Sequence, residues 1–146
     1  MKYSEIKQLK ELVGDVYIDA INEAKEENDD FTLSSSTNGP EYRFILDSKI
    51  DTIMQDELAS DEYILGCFND WFLADVLSID IDVIQAMQKA EAFEAIGKLV
   101  ISLDKVEELQ AAYSQADGYG HHFSHYDFSE EEMLICGHDY HVFRVN

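Results

Sequence analysis

The chain has 146 residues and a mass of 16.7 kDa, and 46% of its residues are hydrophobic, enough for one ordinary domain with a buried core. Its 31 acidic residues against 10 basic ones leave a formal net charge of −21. That balance excludes a nucleic-acid binder that works by neutralising phosphates, and it argues against attachment to anionic lipid.

The opening segment, MKYSEIKQLKELVGD, alternates charged with apolar residues and has no uninterrupted apolar core of the signal-peptide kind. Ile6, Leu9, Val13, Val16, Ala20 and Ala24 recur at three- and four-residue steps, which predicts one helix from Ser4 to Glu27 with a single buried face. Gly14 weakens it by ~1 kcal/mol relative to alanine. Residues 28–41 read as a polar loop with a turn at Asn38-Gly39, and Tyr42–Leu46 as a short strand.

Asp47 is placed to cap a helix running through Leu58, and Ser60 to cap a longer one from Asp61 to Leu77. The second is apolar on nearly every side, so Trp71 and Phe72 are expected in the core. Asp80 or Asp82 opens a fourth helix to Ile96, with Val83, Met87, Ala90 and Phe93 inward. Ser102 or Asp104 opens a fifth, which buries Val106, Leu109 and Tyr113 and stops at Gly118. In the aromatic, histidine-rich tail, residues 119–146, Met133–Cys136 and Tyr140–Val145 flank a hairpin turn at Gly137-His138-Asp139. The expected architecture is a single α+β domain over residues 1–146: about five helices and a small antiparallel sheet formed largely by the C-terminal segment.

Glu11, Asp15, Asp19, Glu23 and Glu27 fall on every fourth position of the first predicted helix. On a continuous helix they form one solvent-facing ridge, each step rising ~6 Å. Neighbouring like charges at this spacing cost ~0.2–0.5 kcal/mol per pair, so solubility alone would favour interleaved lysines. Two long tracts repeat the bias. Nine acids and no base lie between Lys49 and Lys89, among them Asp51, Asp56, Glu57, Asp61 and Glu62, and eight acids lie between Lys105 and Arg144. Rows of carboxylates offer lysine and arginine the kind of repeated anionic target that a nucleic-acid backbone presents. The bland alternative is a solvated acidic surface in which several carboxylates only cap helices.

All five histidines lie in the last 26 residues, and His122/His125 and His138/His141 make two HxxH spacings near Cys136. Imidazole and thiolate are sound zinc ligands, which makes His122, His125, Cys136, His138 and His141 metal candidates. Residues three apart on a strand point to opposite faces, however, so no metal site and no cofactor is expected. The two cysteines form no CxxC pair, and no P-loop, dinucleotide fingerprint, nucleophile elbow or HExxH motif is present. The chain is therefore expected to be a soluble, reduced, cytoplasmic protein without enzymatic activity.

In its acidic character, and in the tail segments DGYGHHFSHYDFSEEEM and HVFRVN, the chain resembles the small acidic proteins that phages and mobile elements use against host defences, of the DNA-mimicking antirestriction and anti-CRISPR type. The resemblance is one of type and carries over no residue. It implies a phage-encoded inhibitor in the host cytoplasm, acting on a basic nucleic-acid-binding partner such as a nuclease or CRISPR effector and binding neither nucleic acid nor membrane itself. The first expected contacts are Glu11, Asp15, Asp19, Glu23 and Glu27. Asp51, Asp56, Glu57, Asp61 and Glu62 follow. The other readings are an immunity protein for a basic toxin, and a metal-binding or enzymatic domain centred on the histidine tail.

Overall fold

The structure is a computed structural model that describes residues 1–35 and 39–146; the turn expected at Asn38-Gly39 involves residue 38, outside the described residues. The fold is α+β, and its contacts group into two compact units, residues 1–50 with 117–146 and residues 51–116.

The first unit packs an N-terminal helical segment against a four-stranded sheet. The expected single helix is in fact α1 (Tyr3–Val13), a 3-10 turn (Gly14–Val16) and α2 (Tyr17–Lys25). Gly14 is the cause, since it ends α1 at φ +68, a conformation glycine adopts without a Cβ clash. The buried stripe nevertheless runs through the break: Leu9, Val13, Val16, Ala20 and Ala24 are all in the core.

The sheet comprises β1 (Asp30–Ser34), β2 (Glu41–Leu46), β3 (Glu131–Ile135) and β4 (His138–Arg144), fully antiparallel in the order β1-β2-β4-β3. Half of it therefore comes from residues 30–46, and residues 30–34 of the predicted polar loop are a strand. Phe31 is what the loop reading passed over. It stacks on Phe44 at 4.8 Å between ring centroids and meets Tyr140 edge-on at 5.7 Å, contacts worth ~0.5–1.5 kcal/mol each beyond burial. Arg43 locks the same hairpin by donating to both carboxylate oxygens of Asp30, at 2.9 and 2.7 Å.

Strand alternation divides the sheet. Phe31, Phe44, Tyr140, Val142 and Ile135 join the helical stripe in one core. Ile45, His141 and Phe143 point the other way, where Phe123 of the one-turn helix α9 (Gly120–Phe123) packs 5.1 Å from Phe143. The last hairpin turns at Cys136-Gly137 rather than at Gly137–Asp139. Both residues have positive φ, +52 and +82, as a two-residue type I′ turn demands, and the pairing of Ile135 with His138 follows.

The second unit is helical: α3 (Ile50–Ala59, whose first residue belongs to the first unit), α4 (Glu62–Gly66), α5 (Asp70–Leu77), α6 (Ile81–Lys89), α7 (Phe93–Ser102) and α8 (Val106–Asp117, whose last residue again belongs to the first). These helices are more numerous and shorter than expected. The predicted helix Asp61–Leu77 divides at Cys67–Asn69, because Asn69 accepts from the Trp71 amide at 2.9 Å and starts α5 anew. Trp71 is consequently 69% exposed instead of core, while Leu73 is wholly buried.

Asp61, not Ser60, caps α4, accepting from the Ile64 amide at 3.1 Å; Ser60 Oγ donates to the Glu57 carbonyl. Asp80, rather than Asp82, caps α6. That helix ends at Lys89, so the predicted stripe Val83, Met87, Ala90 and Phe93 never forms. Ile84 is buried instead, and Val83 and Ala90 are exposed. In α8, Leu109 and Tyr113 are buried as expected, together with Gln110, whose amide is fully engaged by Gln55, Asp51 and Ser114 at 2.8–2.9 Å.

Candidate functional site

The ten predicted contact residues divide between the two units. Glu11, Asp15, Asp19, Glu23 and Glu27 belong to the first; Asp51, Asp56, Glu57, Asp61 and Glu62 belong to the second. They do not form the single ladder that a continuous helix would give. Asp15 sits in the 3-10 turn, which breaks the even ~6 Å step. Glu23 is half-buried and accepts from Asn28 Nδ2 at 2.9 Å, and Glu27 lies beyond α2, 3.6 Å from His138 Nε2. Glu11, Asp15 and Asp19 remain exposed, with Lys7 Nζ 4.0 Å from Glu11.

In the second unit Asp51 accepts from buried Gln110, Asp61 is a cap, and Glu62 lies 3.9 Å from Lys98. Glu57 is half-buried and Asp56 exposed. The charge density of this unit exceeds what those five residues convey. Fourteen acids against three lysines give residues 51–116 a net of −11, and eleven of the acids are exposed. Two of the three lysines are held by the unit's own glutamates, Lys98 by Glu62 and Lys105 by Glu108 at 2.9 Å. Tyr63 and Trp71, 50% and 69% exposed, stand on the surface of the same unit. The charge of the Cys67 thiolate and its hydrogen bond, then burial and Glu91, push the Tyr63 phenol above its ordinary value.

The histidine candidates also separate. His122 is half-buried and meets Phe123 edge-on at 4.7 Å, and His125 is exposed. Cys136 sits in the hairpin turn with its thiol 3.7 Å from the Ile21 carbonyl. His138 and His141 occupy opposite faces of β4, as residues three apart on a strand must. These five do not make one ligand set. His141 instead stands among carboxylates: its Nε2 lies 2.6 Å from Asp47 Oδ1, and its Nδ1 lies 3.0 Å from Glu130 Oε2 and 3.9 Å from Glu132 Oε1.

Asp47 is in this cluster instead of capping α3; it belongs to a 3-10 turn (Asp47–Lys49) at the end of β2. Among the described residues Glu130, Glu132 and His141 are the one group of three whose ligand atoms lie within 4.8 Å of one another. Glu130 and Glu132 were missed as site residues. The signal was the hairpin: counted outward from Cys136-Gly137, Glu132 falls opposite His141, and Glu130 shares its face. A turn placed one residue later loses that pairing. Nearby, Asp127 receives the Ser129 hydroxyl and amide and the Ser124 hydroxyl, which hold its carboxyl below the ordinary range.

In comparisons with protein-family models, with curated proteins and with solved structures, nothing matches this chain. Among the described residues no helix is long and apolar enough to cross a membrane.

Proposed function

We propose that the protein is a non-enzymatic acidic inhibitor of the phage anti-defence type, which occupies the basic nucleic-acid-binding surface of a nuclease or CRISPR effector in place of nucleic acid. The observation that carries this reading is the helical unit, with its net charge of −11, eleven exposed carboxylates and two of three lysines already paired internally. Such a surface keeps its negative potential unneutralised and steers lysine- and arginine-rich partners over the ~8–10 Å Debye length at ordinary salt. Trp71 and Tyr63 add the exposed aromatic anchors that dominate protein interfaces, where charge alone confers little specificity. In the first unit, Glu11, Asp15 and Asp19 extend the anionic display.

The test is a salt-graded pull-down from bacterial lysate with mass-spectrometric identification, followed by competition with DNA. The expected partner is a basic nuclease or nucleic-acid-guided complex, retained at low salt, released steeply as salt rises and displaced by DNA. Two triple charge reversals, Glu11/Asp15/Asp19→Lys and Asp56/Asp75/Asp82→Lys, then assign the contact to a unit. Full inhibition by both, with folding intact, removes charge mimicry from the mechanism. Capture of a single basic toxin, resistant to DNA, would point to an immunity protein instead.

A further inference from the structure

Outside the acidic surface, the sheet builds a second constellation that charge mimicry does not use. We propose that Glu130, Glu132 and His141 form a binding site for a divalent first-row transition metal, zinc being the best match, with Asp47 orienting the histidine. The chemistry of the set is mixed: one imidazole nitrogen and two carboxylates, which suits zinc more than calcium or magnesium.

The strand register creates the site. His141 lies on the inner strand β4, its side chain only 4% exposed, and its ring is held from the side by Tyr119 at 5.2 Å between centroids. Glu132 is its direct cross-strand partner, and Glu130, two residues earlier, projects from the same face. The Nδ1 atom thus faces two carboxylates at 3.0 and 3.9 Å. The longer distance exceeds hydrogen-bond reach, so a proton on Nδ1 serves Glu130 and not Glu132. A divalent cation serves both. All three donor atoms lie within 4.8 Å of one another, and the exposed Glu132 side chain is free to close toward the zinc–ligand distance of ~2.0–2.2 Å.

Asp47 supplies the independent half of the argument. It holds Nε2 at 2.6 Å from the far side of the ring, which favours the hydrogen on Nε2 when a cation takes the Nδ1 lone pair facing the glutamates. A carboxylate–histidine pair of this kind sets the tautomer and raises the basicity of metal-binding imidazoles. A cleft of about 190 Å³, lined by Asp47, Glu132, Asp139, Tyr140 and His141, opens beside the ring. Three protein ligands leave a coordination position open, as in zinc sites that keep a water.

The site is tested on the full chain, purified without an affinity tag and stripped with chelator, by titration with zinc chloride in a calorimeter and with cobalt chloride in the visible spectrum. One equivalent of zinc should bind saturably, and cobalt should develop the d–d absorption of a low-coordinate nitrogen–oxygen site. Glu132→Gln, at an exposed position that folding does not require, should abolish saturable binding. Asp47→Asn should weaken it ~10–100-fold, the range for an orienting partner. Glu131→Gln, adjacent but on the other face of β3, should leave it unchanged. Weak, non-saturating binding affected equally by Glu131→Gln and Glu132→Gln would mean ion condensation on an acidic surface and overturn the site. So would the absence of binding by the wild-type chain.

Discussion

Gly97 of α7 lies so close against the backbone of Glu62 in α4 that a Cβ at residue 97 would collide with the Glu62 carbonyl group. The crossing is reciprocal: a Cβ on Gly66 of α4 would strike the carbonyl of Phe93 at the start of α7. Two glycines, one on each helix, let the backbones meet where side chains elsewhere keep helices 8–10 Å apart. Gly97→Ala and Gly66→Ala should therefore each destabilise the protein by about 3 kcal/mol, the upper part of the range for overpacking, since rigid backbone and not a flexible side chain must give way. Urea denaturation of each single variant measures this. A loss below ~1 kcal/mol would show that the helices slide apart at little cost.

Four helices end in the same way. After α2, α5, α6 and α7 the chain closes through paired bonds such as Ile79 N–H to the Ala74 carbonyl and Ser78 N–H to Asp75, the Schellman pattern. The left-handed residue in each is not glycine but Glu27, Ser78, Glu91 or Asp104, at φ of 54–59°. An L-residue there costs ~1–2 kcal/mol, partly offset because glycine loses more entropy on folding. Ser78→Gly and Glu91→Gly are expected to stabilise the protein by about 1 kcal/mol each. Thermal and urea unfolding of the single and double variants check the sign and the additivity.

Burial, then the negative charges of Asp29, Cys136, Glu27 and Glu23, push the Tyr140 phenol above its ordinary value of 10.0. The folded chain holds this proton more tightly than the unfolded one. The resulting stability is fully present below pH ~10 and is lost as the pH rises toward and through the folded value. Tyr140→Phe removes that dependence, and it also removes the 2.7 Å bond from the phenol to the Asn28 carbonyl, a loss of ~1 kcal/mol at neutral pH. Stability measured from pH ~8 to ~11 should then show the difference between wild type and variant shrinking at the alkaline end. A constant difference would mean that the phenol titrates alike in both states.

Amphipathic periodicity and net charge were legible in the amino-acid sequence. The stripe Leu9, Val13, Val16, Ala20 and Ala24 faces the core, the class is α+β, and a C-terminal hairpin forms, because each depends on side-chain spacing along one short segment. The helix breaks depended on something else. Glu91 adopts a left-handed conformation that its side chain does not advertise, so a pattern that counts apolar residues reads through it and places Val83 inward, and the break where Asn69 restarts α5 turns Trp71 outward in the same way. Strand β1 was likewise hidden, since Phe31 earns its place only by stacking on Phe44 across the sheet. The histidine tail shows the division most plainly. Spacing alone ruled that His138 and His141 face opposite ways, but which carboxylates meet His141 was decided by a two-residue turn and a strand brought from residues 41–46. Local periodicity is written within a segment; register between segments is settled only by the packing of the whole sheet.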